Sequence, residues 1–550
     1  MMCLKFLKIY CVYLVLCIFK IIREKITNSK NTITTKNNYQ NYKEFNDYLK
    51  KLKIFYKSEK ISKNKILVTD FVSTPGYTHT SGVIGKYLVK VINGKIDGFI
   101  RQGDFRGRKI LENFGTDKIY NLNQYSLIMT LNSFLTAARL FLKVRSIDQF
   151  IKIKLNKVNI GMIVYDHILR HGRTGTFDKF SFKYVYYLTL AINVNKVCKN
   201  IFKNKYKFAV ILETQFIPNS IIFENALLNK CKVICHEGGS NKITVRIYRN
   251  FKERFQSKIK FPKNVFNKLQ KHKKKKIYEN EGNKLILEKM KINQIDQNDH
   301  SVKKNQINKK KICKIYNFDP KKPLIGVFAH DFIDGNFINS GRVFRDKYTW
   351  FIKTLNFATK HKNINWIIKD HPTDHTKPPK ITAKTAYYNL YKNNENIKLL
   401  PNEIKSKDLL TSIDLVLTCS GSVGIEFPCF GVKSIIACNT YYSGFGFIDS
   451  SKNESSYFKE IKSTIKNKNF KMLDTKIKKA NIYTYLLYHI GINKCPIIPE
   501  FRWSRRGFKE KQFWKDSYKL MKKYDVKNDT FLKKLSYQVD KDHTHMLNLF

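Results

Sequence analysis

The sequence predicts an α/β protein with two doubly wound, Rossmann-like domains that face a cleft. From Pro323 onward, apolar strand-like runs alternate strictly with helical stretches, a pattern typical of a parallel sheet covered on both faces. A shorter strand–helix–strand pattern at 208–236 predicts parallel strands in an earlier domain. Apolar residues make up 43% of the 550 residues, which is enough for packed cores and excludes general disorder.

The first predicted domain spans 60–256. Apolar runs bounded by Gly, Pro and Asn indicate its strands, and longer apolar stretches indicate its helices. The predicted order is strand Lys65–Phe71, helix Leu127–Val144, strand Ile160–Tyr165, strand Phe208–Glu213, helix Asn219–Leu228 and strand Lys232–His236.

The second predicted domain spans 317–495 and has the clearer pattern. Its strands are short and largely apolar runs, as expected for strands buried on both faces. They are Leu324–Phe328, Asn365–Lys369, Ile397–Leu400, Asp414–Thr418 and Lys433–Ala437. The helices predicted between and after them are Lys347–Lys360, Lys380–Tyr391, Lys405–Ser412 and Ser422–Phe430.

Three further segments are predicted outside the two domains. Residues 257–316 form a basic, partly helical and solvated interdomain segment, and residues 496–550 form a basic helical tail that packs on the first domain. Within residues 1–25, the apolar run Ile9–Phe19 is flanked by lysines and is shorter than the ~20 residues that span a bilayer. It predicts a helix on the inner membrane surface, with a buried first helix as the alternative.

The net charge of +60 favours an anionic partner: nucleic acid, an acidic lipid surface or a phosphorylated substrate. The basic residues are spread along the whole chain, so a lysine-rich composition is the alternative explanation. No RNA-binding sequence motif accompanies them, and we expect no specific nucleic-acid partner. The eleven cysteines are scattered, which indicates buried reduced thiols and a cytoplasmic protein.

Loops that follow strands of the second domain carry the candidate site, because ligands of such sheets bind at the carboxyl ends of strands. Ser420, Gly421 and Ser422 follow a strand and begin a helix, where free N–H groups and the helix dipole favour an anion. Glu426, one turn later, could accept hydrogen bonds from ribose hydroxyls. The alternative is an ordinary helix N-cap.

Two histidines follow other strands of this domain. His371, between Lys369 and Pro372, could donate to a phosphate oxygen or act as an acid for a departing group. His330 follows the first strand, where a polar turn is the alternative. His375 raises a zinc hypothesis, but catalytic zinc needs three protein ligands and no third is evident, so no metal is predicted.

One loop of the first domain is a candidate for general base chemistry. Glu237 and Gly238 follow a predicted strand, and a carboxylate on a glycine-rich loop that faces the cleft could take a proton from an acceptor. Glycine-rich turns with one acid are common, and an ordinary turn is the alternative.

Four segments together resemble the capsule polysaccharide biosynthesis family, bacterial GT-B glycosyltransferases related in motif layout to polysialyl- and Kdo-transferases. They are Trp350–Thr354 (WFIKT), Asn365–Pro372 (NWIIKDHP), Asp414–Glu426 (DLVLTCSGSVGIE) and Gly431–Ser434 (GVKS). The resemblance covers about 320–450 and, more weakly, 160–240, where Gly161–Arg170 (GMIVYDHILR) and His236–Gly239 (HEGG) are similar to the acceptor-side domain.

The resemblance implies a GT-B enzyme with the donor nucleotide on the C-terminal domain. His371 and Pro372 match the family's His-Pro motif, and Ser420 and Ser422 match its phosphate-facing hydroxyl pair. Glu237 with Gly238 resembles the motif that supplies the catalytic base. Lys369, His330 and Gly421, which lie in or beside the loops after strands, are predicted to belong to the same phosphate site, and Asp166 and Arg170 are predicted on the acceptor side. Two departures are His236, where some relatives carry an acid, and Asp370, where the familiar variant carries proline.

The predicted function is therefore transfer of a sugar from a nucleotide-activated donor to a polysaccharide or lipid-linked glycan acceptor of a surface polysaccharide. The nucleotide sugar is a co-substrate, and no cofactor or metal is expected. The protein would be cytoplasmic and peripheral at the inner face of the membrane. Two alternatives are a CDP-polyol phosphotransferase of the teichoic type and a non-enzymatic, basic RNA- or lipid-binding protein.

Overall fold

The computed structural model comprises two compact units, each built around one sheet. The first unit combines the described parts of 1–167, 179–254 and 491–550, and the second those of 168–178 and 255–490. The structure describes residues 43–55, 64–72, 74–122, 125–177, 181–237, 241–297, 307–337, 342–372, 379–501 and 509–548, together with positions 12, 14, 15 and 19.

The sheet of the first unit starts as a parallel sheet and ends in antiparallel strands. Its central strand β1 pairs in parallel with both β2 and β4, and β5 pairs with β6 in the antiparallel sense. The order β3-β2-β1-β4-β5-β6 places the reversal of strand order between β1 and β4. The strands are β1 Asn64–Asp70, β2 Gly94–Ile100, β3 Thr116–Asn121, β4 Phe208–Val210, β5 Lys232–Glu237 and β6 Lys242–Tyr248.

The sheet of the second unit is parallel throughout. Its order β9-β8-β7-β10-β11-β12 is the doubly wound order, with the reversal between β7 and β10. The strands are β7 Leu324–Phe328, β8 Asn365–Lys369, β9 Ile397–Leu399, β10 Leu415–Thr418, β11 Lys433–Ile436 and β12 Asp449–Ser450. The final strand of the chain, β13 (Asn493–Lys494), pairs antiparallel with β6 in the first sheet.

Helices cover both sheets. They are α1 Lys43–Phe55, α2 Pro75–Ile92, α3 Phe105–Asn113, α4 Leu127–Leu142, α5 Ile147–Ile151, α6 Ile160–Gly172, α7 Tyr184–Phe202, α8 Asn219–Leu228, α9 Lys263–Lys271, α10 Lys275–Gln297, α11 Lys309–Tyr316, α12 Lys347–Thr359, α13 Ala383–Leu390, α14 Val423–Glu426, α15 Glu454–Lys466, α16 Asp474–Tyr485, α17 Glu510–Lys523 and α18 Thr530–Asp540.

The core of the first unit includes the C-terminal tail. Trp514 of α17 is fully buried, and its ring lies 4.9 Å from that of Phe45 and 5.0 Å from that of Tyr48 on α1. Aliphatic residues of β1, β4 and β6 complete the same cluster. The residues of 496–550 that the structure describes are therefore integral to this unit rather than an appendage.

The core of the second unit lies on both faces of its sheet. Trp366 and Ile368 of β8 contribute to a cluster with α12, whereas Ile367 contributes to the opposite cluster with α11. This alternation explains why β8 is apolar at successive positions. The described residues of 257–316, predicted as a solvated interdomain segment, form α9, α10 and α11 within this unit, with Ile286 and Ile312 fully buried.

The predicted fold class is confirmed by the two strand orders, which define two Rossmann-like sheets. That the two domains face a cleft stays a prediction. The five strands predicted in the second domain are all present, and the bounds of β7 and β8 are those predicted. In the first domain β1, β4 and β5 are confirmed, as are α4 and α8.

Three predicted elements are wrong or shortened. Residues 160–165, predicted as a strand, begin helix α6, and they are buried on nearly every side. A segment that is apolar all round has no periodicity to separate a strand from a helix. The helices predicted at 405–412 and 422–430 are reduced to short turns, α14 and the 3₁₀ segments Ser406–Leu409 and Pro428–Phe430.

The proposed membrane-surface helix at 1–25 lies outside the described residues, apart from four helical positions of which Val12, Val15 and Phe19 are exposed. Within the described part of the chain, no helix combines the length and the apolar character that crossing a bilayer requires. The eight cysteines that the structure describes are buried free thiols, as predicted.

Candidate functional site

The candidate site lies where the strand order of the second unit reverses. Thr418 at the end of β10 is paired with Phe328 at the end of β7, so the loops that follow start side by side. Because these two loops continue to opposite sides of the sheet, they leave a crevice between them. His330 follows β7 and Ser420 follows β10, each two residues beyond that pair.

A hydrogen bond from one loop to the other fixes the protonation state of His330. The backbone N–H of Ser420 donates to His330 Nε2 over 2.9 Å, and Thr418 Oγ1 lies 3.2 Å from the same nitrogen. A nitrogen that accepts from an N–H carries no proton, so His330 is neutral with its proton on Nδ1. Burial lowers the pKa of His330 well below its ordinary value, and the nearby Lys347 and His371 lower it further.

The two serine hydroxyls in this loop are available to a ligand. Ser420 and Ser422 are half-buried, and neither hydroxyl has a hydrogen-bond partner among the described residues. Ser422 occupies the N-cap position of α14, but its backbone is helical and its side chain makes no capping bond. The N-cap alternative therefore does not account for Ser422.

The backbone of the same loop also leaves donors unused. The N–H groups of Gly424, Ile425 and Glu426 are bonded to carbonyls of the loop. No hydrogen bond recorded among the described residues uses the N–H of Ser422 or of Val423. Two hydroxyls and two N–H groups in one short loop are a donor set that suits phosphate oxygens.

A buried tyrosine and two glycines hold this loop in place. Tyr442 is fully buried, and its hydroxyl donates to the carbonyl of Gly421 over 2.5 Å. A Cβ at position 424 would overlap that hydroxyl, and a Cβ at position 421 would lie 2.9 Å from Thr418 Oγ1. Both positions therefore need glycine for a close approach, and the loop has little freedom to rearrange.

His371 lies beside His330 at the end of β8. The two rings are nearly parallel, with an interplanar angle of 19° and 6.5 Å between centroids, and His371 is exposed. Burial of the surrounding region lowers the pKa of His371 below its ordinary value; Asp331, Asp334 and Asp370 oppose this effect. A neutral, accessible imidazole can donate one N–H to an anion and can take up a proton when negative charge develops beside it.

A lysine supplies positive charge next to both histidines. Lys347 is the first residue of α12 and lowers the pKa of both rings, which places its ammonium close to them. Its Nζ donates to the carbonyl of Asp334. A cation in the first turn of a helix opposes the helix dipole, so Lys347 adds to the positive potential that the helix N-terminus already supplies here.

Arg170 contacts the loop after β7. Its guanidinium lies 3.8 Å from Asp331 Oδ2 and 3.7 Å from Asp334 Oδ1, and all three residues belong to the second unit. The following residues continue this packing, since Thr176 Oγ1 donates to Asp346 Oδ2 over 2.8 Å. Asp166, four residues earlier on α6, is buried in the first unit.

The other predicted donor-site residues are Lys369, Glu426 and Pro372. The Lys369 ammonium donates to the carbonyl of Pro401 over 3.4 Å, and Glu426 is 3.4 Å from Lys289 Nζ. Pro372 is exposed at the edge of a gap in the described residues. The contacts given above link His330 to Ser420, Gly421 and His371, whereas a role for Lys369, Pro372 and Glu426 stays a prediction.

In the first unit, Glu237 is the last residue of β5 and is exposed, opposite Thr244 of β6. The strand before it is tied down by His236, which is buried with Nε2 3.0 Å from Ser81 Oγ. Gly238 lies outside the described residues. Glu237 is therefore at an antiparallel pair, not at the β1/β4 reversal of this sheet.

Among the residues that the structure describes, no group of three or more His, Cys, Asp or Glu side chains is arranged to hold a metal ion. His375, the basis of the zinc hypothesis, lies outside them. Metal independence therefore stays a prediction.

Sequence reasoning missed Thr418, Tyr442 and Lys347. A cation at the start of a helix was a detectable signal for Lys347, because it contradicts the usual preference for acids there. Thr418 is the last residue of a predicted strand, and that position gives no sign of its contact with His330. Nothing in the sequence links Tyr442 to Gly421, which are 21 positions apart.

No protein-family model and no curated protein matches this chain. Among solved structures, a β-Kdo 2,4-transferase, KpsC of Thermosulfurimonas dismutans, matches with 13% identity and a TM-score of 0.31, covering 51% of this chain and 80% of its own. A glycosyltransferase of Rickettsia africae matches with 12% identity and a TM-score of 0.28, covering 84% and 99%. The UDP co-structure of S. aureus MnaA matches with 12% identity and a TM-score of 0.27, covering 76% and 92%. The fold described above rests on the two sheets themselves.

Proposed function

We propose that this protein is a glycosyltransferase that moves a sugar from a nucleotide-activated donor to a polysaccharide or lipid-linked glycan of a surface polysaccharide. The observation that carries the proposal is the set of unused donors at the β7/β10 reversal: the hydroxyls of Ser420 and Ser422 and two N–H groups, beside His330 and His371. The motif resemblance over 320–450 assigns the same residues to donor phosphates.

The proposed reaction needs the leaving phosphate group of the donor to be stabilised as its charge develops. An oxygen of the acceptor attacks the anomeric carbon, the bond from that carbon to the phosphate oxygen breaks, and the nucleoside mono- or diphosphate departs. Fixed N–H and O–H donors stabilise this charge without reorganising, and Lys347 adds a positive charge. We propose His371 as the donor to the departing oxygen.

The acceptor proton requires a base, and Glu237 is our proposal for it. Glu237 is exposed at the end of β5, as a group that meets an acceptor must be. The transfer is proposed to need no cofactor and no metal, since the donor set above supplies the electrostatic stabilisation. A cytoplasmic location with attachment at the inner membrane face also remains part of the proposal, and the net charge of +60 suits it.

Thermal-shift measurements with CMP, CDP, UDP and GDP test the phosphate site. We expect one of these nucleotides to raise Tm in the wild type, and His371→Ala and the double variant Ser420→Ala/Ser422→Ala to lose most of that shift. His543→Ala, which changes an exposed histidine of the first unit, is the matched control and should keep it.

Equal stabilisation of wild type and His371→Ala would contradict the assignment of the phosphate site. Product analysis with nucleotide sugars and with CDP-glycerol then tests the reaction. Turnover of CDP-glycerol alone would replace the glycosyltransferase proposal by the CDP-polyol phosphotransferase.

A further inference from the structure

Helix α4 of the first unit carries an exposed apolar stripe. One face of the helix packs on α7 and buries Phe134, Ala137 and Ala138. The opposite face exposes Ile128 by 72% and Leu142 by 54%, and Leu127, Leu131 and Leu135 are exposed as well. Positions 128, 131, 135 and 142 recur at helical spacing, so their side chains form one line along the helix.

This stripe differs from the other exposed apolar residues of the described chain. Residues such as Ile315 on α11 and Leu473 before α16 are exposed singly, which is normal for protein surfaces. Several exposed apolar side chains on one helix face indicate an interaction site. Those of α4 are all aliphatic, and none is an aromatic ring.

Basic side chains lie on α4 and in the segment that follows it in the chain. Helix α4 contains no acidic residue, and Arg139 lies within the same exposed face. Residues 127–157 include one acidic residue, Asp148, and six exposed basic residues. The six are Arg139, Lys143, Arg145, Lys152, Lys154 and Lys157. A partner of this surface must therefore be apolar and anionic at once.

We propose that α4 docks on a membrane that contains anionic phospholipid. Leucine and isoleucine side chains would enter the acyl boundary while the Arg and Lys side chains pair with the headgroups. A second copy of the chain would bring the same positive charge to the contact and be repelled. Nucleic acid or glycan would bind without using an aliphatic line, since bases stack on aromatic rings.

This docking surface is independent of the transferase chemistry and of residues 1–25. Co-sedimentation of the full chain with vesicles of phosphatidylglycerol and phosphatidylcholine, compared with pure phosphatidylcholine, tests it. We expect wild type to bind the anionic vesicles and to lose binding as salt rises.

Two double variants separate the apolar and the charged contributions. Ile128→Glu/Leu135→Glu should weaken binding by at least about tenfold, since it removes apolar contact and adds negative charge. Arg139→Gln/Lys143→Gln should weaken it by about thirtyfold, from about fivefold per basic residue near such a surface. The control Ile315→Glu, an exposed isoleucine among lysines on α11, should bind as wild type does.

Three outcomes would overturn the proposal. The first is unchanged vesicle binding by both double variants with native circular dichroism, which would transfer the binding to another part of the chain. The second is equal binding to neutral and anionic vesicles. The third is a dimer, seen by light scattering, that Ile128→Glu/Leu135→Glu dissociates, which would identify a second copy as the occupant.

Discussion

The two units share a strand order around their central strand but differ in how their loops use polar groups at the reversal. In the first unit, the carboxylate of Asp70 after β1 accepts from the Thr78 hydroxyl and, over 3.2 Å, from the Val72 N–H. After β4, Glu213 accepts from the N–H groups of the next two residues over 2.7 and 3.0 Å. In the second unit, the hydroxyls of Ser420 and Ser422 have no such partner among the described residues.

The difference shows that topology supplies a crevice and that loop chemistry decides its use. Polar groups of the first reversal are engaged within the loops, so they contribute to stability. At the reversal in the second unit, Tyr442 and His330 form hydrogen bonds with the loop backbone. The hydroxyls of Ser420 and Ser422 form none with the described residues, so they can donate to a ligand. A loop that is rigid and still has donors to offer is preorganised for an anion.

The largest effect is expected from Gly424→Ala. A Cβ at this position overlaps the hydroxyl of Tyr442, so the loop must shift, at a cost of about 3 kcal/mol in the free energy of unfolding. Urea denaturation measures this cost, and nucleotide stabilisation should be lost with it. Gly172→Ala, where a Cβ would be 3.6 Å from Thr174, should be nearly neutral. If Gly424→Ala kept both stability and nucleotide binding, the loop would not be rigid.

Thr78→Val should cost about 2 kcal/mol of stability, because it leaves the buried Asp70 carboxylate without its hydroxyl donor. Nucleotide affinity should not change, since the contact belongs to the first unit. Urea denaturation and nucleotide titration of the same variant provide the two readouts. Weakened nucleotide binding at unchanged stability would mean that the first reversal is also a binding site.

His79 on α2 of the first unit is a buried polar group that is not satisfied, because neither of its ring nitrogens has a hydrogen-bond partner and the side chain is fully buried. Burial lowers the pKa of His79 to about 3, so the unfolded chain binds more protons below about pH 6.5. Stability from this group is complete above pH 6.5 and is lost as pH falls, by about 2 kcal/mol between pH 8 and pH 5.

His79→Phe removes this titration while it keeps an aromatic ring in contact with Phe114 and Phe513. We expect a flatter dependence of the unfolding free energy on pH, measured by urea denaturation at pH 8 and pH 5. An unchanged slope would assign the acid sensitivity to other groups, and a loss of nucleotide binding would make His79 functional rather than a structural cost.

The smallest effect is expected from Ser422→Ala. Its hydroxyl makes no capping bond, so stability should stay within about 0.5 kcal/mol, whereas nucleotide affinity should fall about fivefold through loss of one hydrogen bond. Isothermal titration and urea denaturation measure the two quantities. This pattern is the reverse of the one expected for Thr78→Val in the first unit, which should lose stability and keep its nucleotide affinity. A loss of stability without a loss of nucleotide affinity would indicate that Ser422 acts as the N-cap of α14 instead.

The strands of the second unit were predictable because they are short, largely apolar runs bounded by polar segments. In the first unit β2 and β3 were missed, since GKIDGFI and TDKIYN contain glycine and charged residues and resemble loops. They become strands because they pair in parallel beside β1, a contact that local sequence does not specify. Residues 160–165 were assigned to a strand because burial on nearly every side hides the helical period.

By itself, the sequence determined the doubly wound fold class and the loops where small, polar and histidine residues follow strands, because both follow from local periodicity and strand ends. Only the tertiary structure decided which of those residues meet. The register of β7 against β10 sets His330 against the Ser420 N–H, and the Tyr442 hydroxyl donates to the carbonyl of Gly421 in the same loop. Glu426 and Lys369 lie close to strand ends in the sequence, but the Glu426 carboxylate contacts the Lys289 ammonium and the Lys369 ammonium donates to the carbonyl of Pro401. Such pairings depend on distances between residues far apart in sequence, which no local pattern contains.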